Sequence, residues 1–436
     1  MTGAGSLNRP RLVVLGLDGL PCSLARRLAS GHGGELPHLA RLALGARAIR
    51  AEVPELSPVN WTSFFTGQGP EAHGVYGFTR LDAARLRLEL ADATWVRCPT
   101  IFDRLGAAGL TSKVVNLPNT YPARPLRGML VAGFVAPEMT RAVFPPVLAA
   151  LLPGYKLEAD TTRGAADPDY LLGQLAATLD SRRRALDLLW PDLAWDLFVF
   201  VLTETDRLFH FLYPACEDSG HPRHADCLAF LRRWDGMIGE VLARYDALPG
   251  PKRLLVLADH GFTTLRTEVD LNAWLRAAGR LVTRGEPEDE WDAGVLAPAA
   301  TAFALDPGRI YVHDRARFPR GCVAPADIPG LAAELRAGLL ALTFEGEPVM
   351  QEVLTADQAY PETSGPRAPG APDLLCVPRP GFDLKAKWDR AEVFSRHGRF
   401  GTHTRDDAFF CDSAGAAPAR VRDVGRLVLE YFNLSN

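Results

Sequence analysis

The sequence has no ordered set of cysteines, little lysine and no long apolar run. Its seven cysteines, Cys22, Cys98, Cys216, Cys227, Cys322, Cys376 and Cys411, are odd in number and scattered, without a CxxC pair. That argues against a disulfide framework and a thiolate zinc site, and suits a reducing compartment. Lysine occurs five times among the 48 basic residues and the formal net charge is -4. No broad basic field is left to recruit nucleic acid. The first apolar run, Leu12 to Leu17, is too short for a signal-peptide core or a membrane span. A cytoplasmic protein is expected. The 436 residues allow a large core, and by length alone two or three domains.

Against these absences stand four apolar segments that each end in polar groups. "RLVVLGLDG" runs into Asp18, "TSKVVNLP" into Asn116, "DLFVFVLTETD" into Asp206 and "RLLVLADHG" into Asp259 and His260. Such runs, without alternation, predict strands buried on both faces. Helical patterns lie between them, among them "SLARRLAS", "TIFDRLGAAG" and "HADCLAFLRRWDGMIGEVLARYDAL". Alternating strands and helices predict a single α/β domain over 1–436, with a doubly wound, mainly parallel central sheet and helices on both faces. Two spans rich in proline, glycine and charge, about 122–180 and 263–396, are expected as cap-like insertions. "RGEPEDEWDAG" and "PETSGPRAPGAP" belong to them, while "ALDPGRIYVH" and "APDLLCVP" still read as strands.

In sheets of this class ligands bind at the C-terminal ends of the strands. The groups there are Asp18, Asp206 with His210 four residues on, the adjacent Asp259 and His260, and His403 in "FGTHTRDD". Three aspartates and three histidines without sulfur suit zinc, manganese or iron. Six ligands suffice for two ions at three each, with positions open for substrate. Singly, a strand-end aspartate is an ordinary helix cap and a lone histidine an ordinary core or surface residue. "SPVNWTSFFTGQGPEAHG" adds three hydroxyls, Ser57, Thr62 and Ser63. The position just before a helix, where Ser57 is expected, meets unpaired N–H groups and the positive end of the dipole. It suits either a plain N-cap or a phosphate-facing nucleophile.

In order along the chain, "LGLDG", "SPVNWTSFFTGQGPEAHG", "TETDRLFH", "LADHG" and "FGTHTRDD" resemble the alkaline phosphatase superfamily, in particular its type I phosphodiesterase/nucleotide pyrophosphatase branch. The resemblance implies an alkaline phosphatase-like fold and metal-dependent hydrolysis of a phosphate ester. It implies one divalent ion held by Asp206, His210 and His403 and a second held by Asp18, Asp259 and His260, with Ser57 also at the metals. Zinc is the expected ion and manganese the alternative. In the superfamily the attacking residue lies nine positions before the Thr of the Thr-Gly pair. Counted from Thr66 that is Ser57, which would carry the phosphoryl group; Thr62 is the other candidate.

A diester or pyrophosphate is the substrate the branch implies. A phosphomonoesterase or phosphonate hydrolase on the same metals is the alternative, and a catalytically silent binding protein a further one. Sulfatases of the superfamily would need Pro and Arg where Val59 and Trp61 stand. The nucleotide pyrophosphatases have an aromatic residue after the nucleophile and an Asn shortly after the His-Gly pair; Pro58 and Phe78 stand there. Asn60, Asn116 or Arg405, the last grouped around His403 with Arg396 and Arg399, is expected to supply the missing donor to substrate. His73 is expected to brace its loop. The partners expected are a small-molecule phosphate ester and, in a homodimer, a second copy of the chain; neither a nucleic-acid scaffold nor a membrane is expected.

Overall fold

The computed structural model describes residues 9–361 and 370–435, so most of the "PETSGPRAPGAP" tract lies outside the described residues. The strand Arg11–Leu17 is buried at every position, as are Leu197–Leu202 and Ser112–Leu117. Runs of Val, Leu and Phe without alternation need a sheet covered on both sides, and that is where they lie. The principal sheet has eight strands, in the order Arg47–Ile49, Ala408–Asp412, Lys252–Leu257, Arg11–Leu17, Leu197–Leu202, Ser112–Leu117, Gly128–Ala132 and Val143–Phe144. The five from Lys252–Leu257 to Gly128–Ala132 are parallel, with Val14 opposite Val199 on one side and Leu255 on the other. The edges are finished by antiparallel strands.

Two groups of helices cover the sheet. Cys22–His32, Pro37–Ala43, Pro168–Leu189, Glu204–Glu217 and His224–Asp246 pack in one series, and Ser57–Thr66, Ile101–Ala107 and Val421–Tyr431 in another. In Val421–Tyr431 the buried apolar positions are Val421, Val424, Val428 and Leu429, one stripe of a 3.6-residue helix. Gly425 lies on that stripe, and a Cβ there would come 2.0 Å from the Phe64 carbonyl oxygen. The glycine lets the two helix backbones touch.

The span 122–180 is not an insertion over the site as expected. Gly128–Ala132 and Val143–Phe144 are strands of the principal sheet, and Pro168–Leu189 buries Leu171, Leu175 and Leu179 in the main core. The prolines and glycines that suggested an insertion lie largely in the turns between these elements. Residues 263–396 differ. They hold a four-stranded antiparallel sheet of Ala302–Leu305, Arg309–Val312, Leu374–Pro378 and Met350–Thr355, and a three-stranded sheet of Phe382–Lys385, Thr267–Asp270 and Phe394–Ser395. Phe303, Ile310, Leu335 and Trp388 belong to a second hydrophobic core there. This lobe is inserted between the strand that delivers Asp259 and the one that delivers His403, and it shares a cleft with Asp18, Ser57, Asp206 and His403.

Candidate active site

The strands Lys252–Leu257, Arg11–Leu17 and Leu197–Leu202 are neighbours and end side by side. Asp18 follows Leu17 directly; its N–H donates to the Leu202 carbonyl at 3.0 Å, and the Thr205 hydroxyl donates to the Asp18 carbonyl at 2.6 Å. Asp259 and His260 come just after Leu257. Asp206 stands in the first turn of Glu204–Glu217, where a carboxylate suits the helix dipole, and His210 is one turn on along the same face. His403 arrives separately, on the strand Gly401–Thr404, which pairs antiparallel with Gly261–Thr264 and sets His403 opposite Phe262.

The six side chains form two groups, Asp206 with His210 and His403, and Asp18 with Asp259 and His260, each with ligand atoms within 4.8 Å of one another. Asp206 Oδ1 is 3.5 Å from His210 Nε2 and 3.4 Å from His403 Nε2. His260 Nε2 is 3.3 Å from Asp259 Oδ2 and 3.8 Å from Asp206 Oδ1, so it stands between the groups. The backbone sets the orientation. Gly19 N–H donates to Asp259 Oδ1 at 3.0 Å, His403 Nδ1 donates to the Glu55 carbonyl at 2.8 Å, and His260 Nδ1 donates to the Gly261 carbonyl at 3.1 Å. Both imidazoles therefore turn an Nε2 lone pair toward the carboxylates.

Protein alone satisfies this cluster poorly. The Nε2 atoms of His403 and His210 face each other at 3.2 Å, and the buried Asp206 Oδ1 and Asp259 Oδ2 receive no hydrogen bond among the described residues. Burial, then the carboxylates of Asp259 and Asp206, push Asp18 well above the usual carboxylate range. Burial pushes Asp206 the same way, but His210, His403 and the Arg207 guanidinium outweigh it and hold that carboxyl well below the range. Burial, reinforced by Arg399, pushes His210 well down, and burial also lowers His260. Neutral imidazole nitrogens and buried carboxylate oxygens are the donor set of a divalent zinc- or manganese-like cation, which would meet both the crowded charge and the opposed lone pairs. The residues fit two such ions.

Ser57 is the first residue of the helix Ser57–Thr66, one place further in than expected; extended Leu56 occupies the cap position. Its hydroxyl does not cap the helix. It donates to Asp18 Oδ1 at 3.3 Å and lies 3.3 Å from His260 Nε2. The other hydroxyls serve the helix: Thr62 donates to the Pro58 carbonyl at 2.6 Å and Ser63 to the Val59 carbonyl at 2.9 Å, both fully buried. Of the three, Ser57 alone lines the cleft of about 550 Å³ between the strand ends and the second lobe.

Residues 12–406 match the family described as type I phosphodiesterase / nucleotide pyrophosphatase. The chain belongs to that family. Solved structures of similar fold include phosphonoacetate hydrolase from Sinorhizobium meliloti 1021 in complex with phosphonoformate, at TM-score 0.64 and 17% identity over 98% of this chain and 96% of that one. The alkaline phosphatase PafA follows at TM-score 0.60 and 15% identity, over 98% and 96%. Murine ectonucleotide pyrophosphatase / phosphodiesterase 5 is similar at TM-score 0.56 and 12% identity, over 98% and 95%. No curated protein matches the sequence. The family makes this chain a phosphoric ester hydrolase that works by phosphoryl transfer.

In this member of the phosphodiesterase family, three residues expected on substrate are turned elsewhere. Asn60 Oδ1 accepts from the Glu52 N–H at 2.6 Å, and its Nδ2 donates to the Leu56 carbonyl at 3.1 Å. Asn116 Nδ2 donates to the Val201 carbonyl at 2.9 Å. Both amides are fully buried; backbone groups claim the polar atoms of Asn60, while Asn116 Oδ1 has no hydrogen-bond partner among the described residues. Arg405 donates to Glu352 at 2.9 Å and lines a separate cleft on the far side of His403. The arginines on the cleft that Ser57 lines are Arg207, Arg390 and Arg399. Arg207 lies 4.0 Å over the Phe134 ring, which packs edge-on against Phe78 at 5.7 Å. Arg399 makes no ion pair or hydrogen bond among the described residues. Arg207 was overlooked in sequence although it directly follows Asp206 in "TETDRLFH".

Proposed function

We propose that the chain hydrolyses a phosphate diester or pyrophosphate through a phosphoserine on Ser57, with one divalent cation at Asp206, His210 and His403 and another at Asp18, Asp259 and His260. The supporting observation is the position of the Ser57 hydroxyl on the cleft, at a helix N-terminus, 3.3 Å from both Asp18 Oδ1 and His260 Nε2. When bound, the cations, zinc on this proposal with manganese the alternative, supply the positive charge that lowers the pKa of a serine hydroxyl and neutralises a departing oxygen. The chain's own part is placement. The helix dipole points its positive end at the phosphoryl group, and Arg207 and Arg399 stand where guanidinium groups can take its free oxygens. The Ser57 Oγ–P bond forms as the ester P–O bond breaks. The leaving group, an alcohol or a phosphate, takes up the proton that Ser57 gives up, and water then cleaves the phosphoserine to restore the hydroxyl. A cytoplasmic enzyme is part of this proposal, supported by the scattered cysteines, all free among the described residues.

Cleavage of a phosphomonoester or a phosphonate on the same residues is the second reading, favoured by the fold shared with an alkaline phosphatase and a phosphonate hydrolase. A panel of bis-p-nitrophenyl phosphate, p-nitrophenyl phosphate and p-nitrophenyl phenylphosphonate, each with zinc or manganese, separates the two. The diester is expected to turn over fastest, and Ser57→Ala is expected to lower its rate by about three orders of magnitude or more. Loss of activity in Thr62→Ala with near-normal activity in Ser57→Ala would overturn the assignment.

A further inference from the structure

Two of the chain's five lysines, Lys385 and Lys387, line the catalytic cleft from the second lobe. They follow from a strand pattern. From Phe382 the sequence alternates as "FDLKAKW": Phe382, Leu384, Ala386 and Trp388 enter the core of the lobe, and Asp383, Lys385 and Lys387 face the cleft. Each cation on this wall already has a carboxylate. Lys385 Nζ is 2.7 Å from Asp383, Lys387 Nζ is 2.9 Å from Asp306, and Arg390 is 2.6 Å from Glu268. Glu290 adds a fourth carboxylate at the cleft, so the wall holds three cations against four anions.

That pairing selects a chemistry. An anionic arm would have to displace a carboxylate from each ammonium and would still face it across the cleft. A cationic arm would meet two lysines two residues apart. A hydroxyl has neither difficulty, because it donates to the carboxylate and accepts from the ammonium of the same pair. Three such pairs along one wall match several hydroxyls on one small skeleton, and Trp291 on the same cleft offers a ring for its C–H face. We propose that this wall is the subsite for an uncharged polyhydroxylated arm of the substrate, a glycerol-, inositol- or sugar-type group esterified to the phosphorus that Ser57 attacks. The proposal rests on the phosphodiesterase function above.

The test uses the full-length protein and phosphodiesters that share a p-nitrophenyl group and differ in the second arm: inositol, ethyl, choline or glycolate. Cleavage of either ester bond is followed by phosphorus NMR. The inositol ester is expected to exceed the ethyl ester at least about tenfold in kcat/KM, since hydrogen bonds to charged partners each contribute on the order of tenfold or more. That ratio is expected to fall toward one in Lys385→Met and in the near-isosteric Asp383→Asn. Because both esters are read on the same protein, partial misfolding does not alter the ratio. A wild-type preference for the choline or glycolate ester, or an inositol preference that survives both substitutions, overturns the proposal. Failure of the parent function looks different: no ester is turned over, or Ser57→Ala does not slow turnover. The subsite is then read by calorimetric binding of the same intact esters to the Ser57→Ala protein, where tighter binding of the inositol ester supports it and equal or weaker binding refutes it.

Discussion

His73 gives a prediction whose size can be worked out. Its ring is fully buried behind the helix that begins at Ser57. Nε2–H donates to the Ser63 hydroxyl at 3.0 Å, which itself donates to the Val59 carbonyl, and Nδ1 accepts the Val75 N–H at 3.1 Å. This fixes one neutral tautomer. Protonation would put a second N–H head-on against the Val75 N–H at a fully buried position. Burial holds the ring's pKa down to about 3, against 6.5 for a free histidine. The unfolded chain therefore binds a proton below pH 6.5 that the folded chain refuses, so this stabilisation is full above pH 6.5 and is lost as pH falls toward 3. Between pH 6.5 and 4 the loss comes to about 3.4 kcal/mol, at about 1.4 kcal/mol per pH unit. His73→Asn keeps an acceptor for Val75 but cannot titrate. Urea unfolding of both proteins at pH 7.5 and at pH 4 isolates the effect, because every other titrating group is common to the two and cancels in the difference. The variant is expected to be the weaker protein at pH 7.5, with the gap closing by about 3 kcal/mol at pH 4. A gap independent of pH would refute the assignment of a locked neutral tautomer.

Trp61, fully buried on the inner face of the same helix, is expected to cost about 3–5 kcal/mol of stability when replaced by Ala, measured by urea midpoint. Gly425→Val, which would drive a side chain into the Phe64 carbonyl, is expected to cost about 3 kcal/mol or more and to lower Tm accordingly. Cation at 100 times its Kd is expected to stabilise the chelator-treated protein by about 2.7 kcal/mol, and Asp259→Asn to remove most of that gain; an unchanged melting curve in the wild type would sink the metal assignment. Arg399→Ala is expected to lower kcat/KM for the diester by about 10- to 100-fold, with Lys restoring part of it; an unchanged kcat/KM would remove Arg399 from the phosphoryl site.

The floor of the candidate site was legible because its signal is local. Asp18, Asp206, Asp259 and His260 stand where apolar runs stop, and in a parallel sheet those stops lie at one edge. His403, also expected at a strand end, departs from that rule: it sits within an antiparallel two-stranded ribbon and reaches the cluster from there. The amides were misjudged for a physical reason. Asn60 and Asn116 are close to Ser57 in sequence or in strand position, but nothing in one dimension shows which carbonyl a buried amide must serve. Asn116 serves Val201, 85 residues away. Proline and glycine density misled in the same way over 122–180, because it marks turns whether they join strands of the main sheet or edge an insertion.

The second lobe carries this further. The period-2 pattern of "FDLKAKW" shows that three charged side chains share a face, yet the pattern cannot say what that face attracts. Read alone, Lys385, Lys387 and Arg390 make a basic stripe suited to an anion. The fold brings Asp306 to Lys387 and Glu268 to Arg390, the latter from 122 residues away, and the stripe becomes a row of closed ion pairs. An anion would have to break those pairs, whereas hydroxyl groups can bridge them. Within the proposed function the lysines on the cleft therefore favour a diester with an uncharged arm over a pyrophosphate or a carboxylate-bearing arm, the opposite of what their number in so lysine-poor a chain suggests.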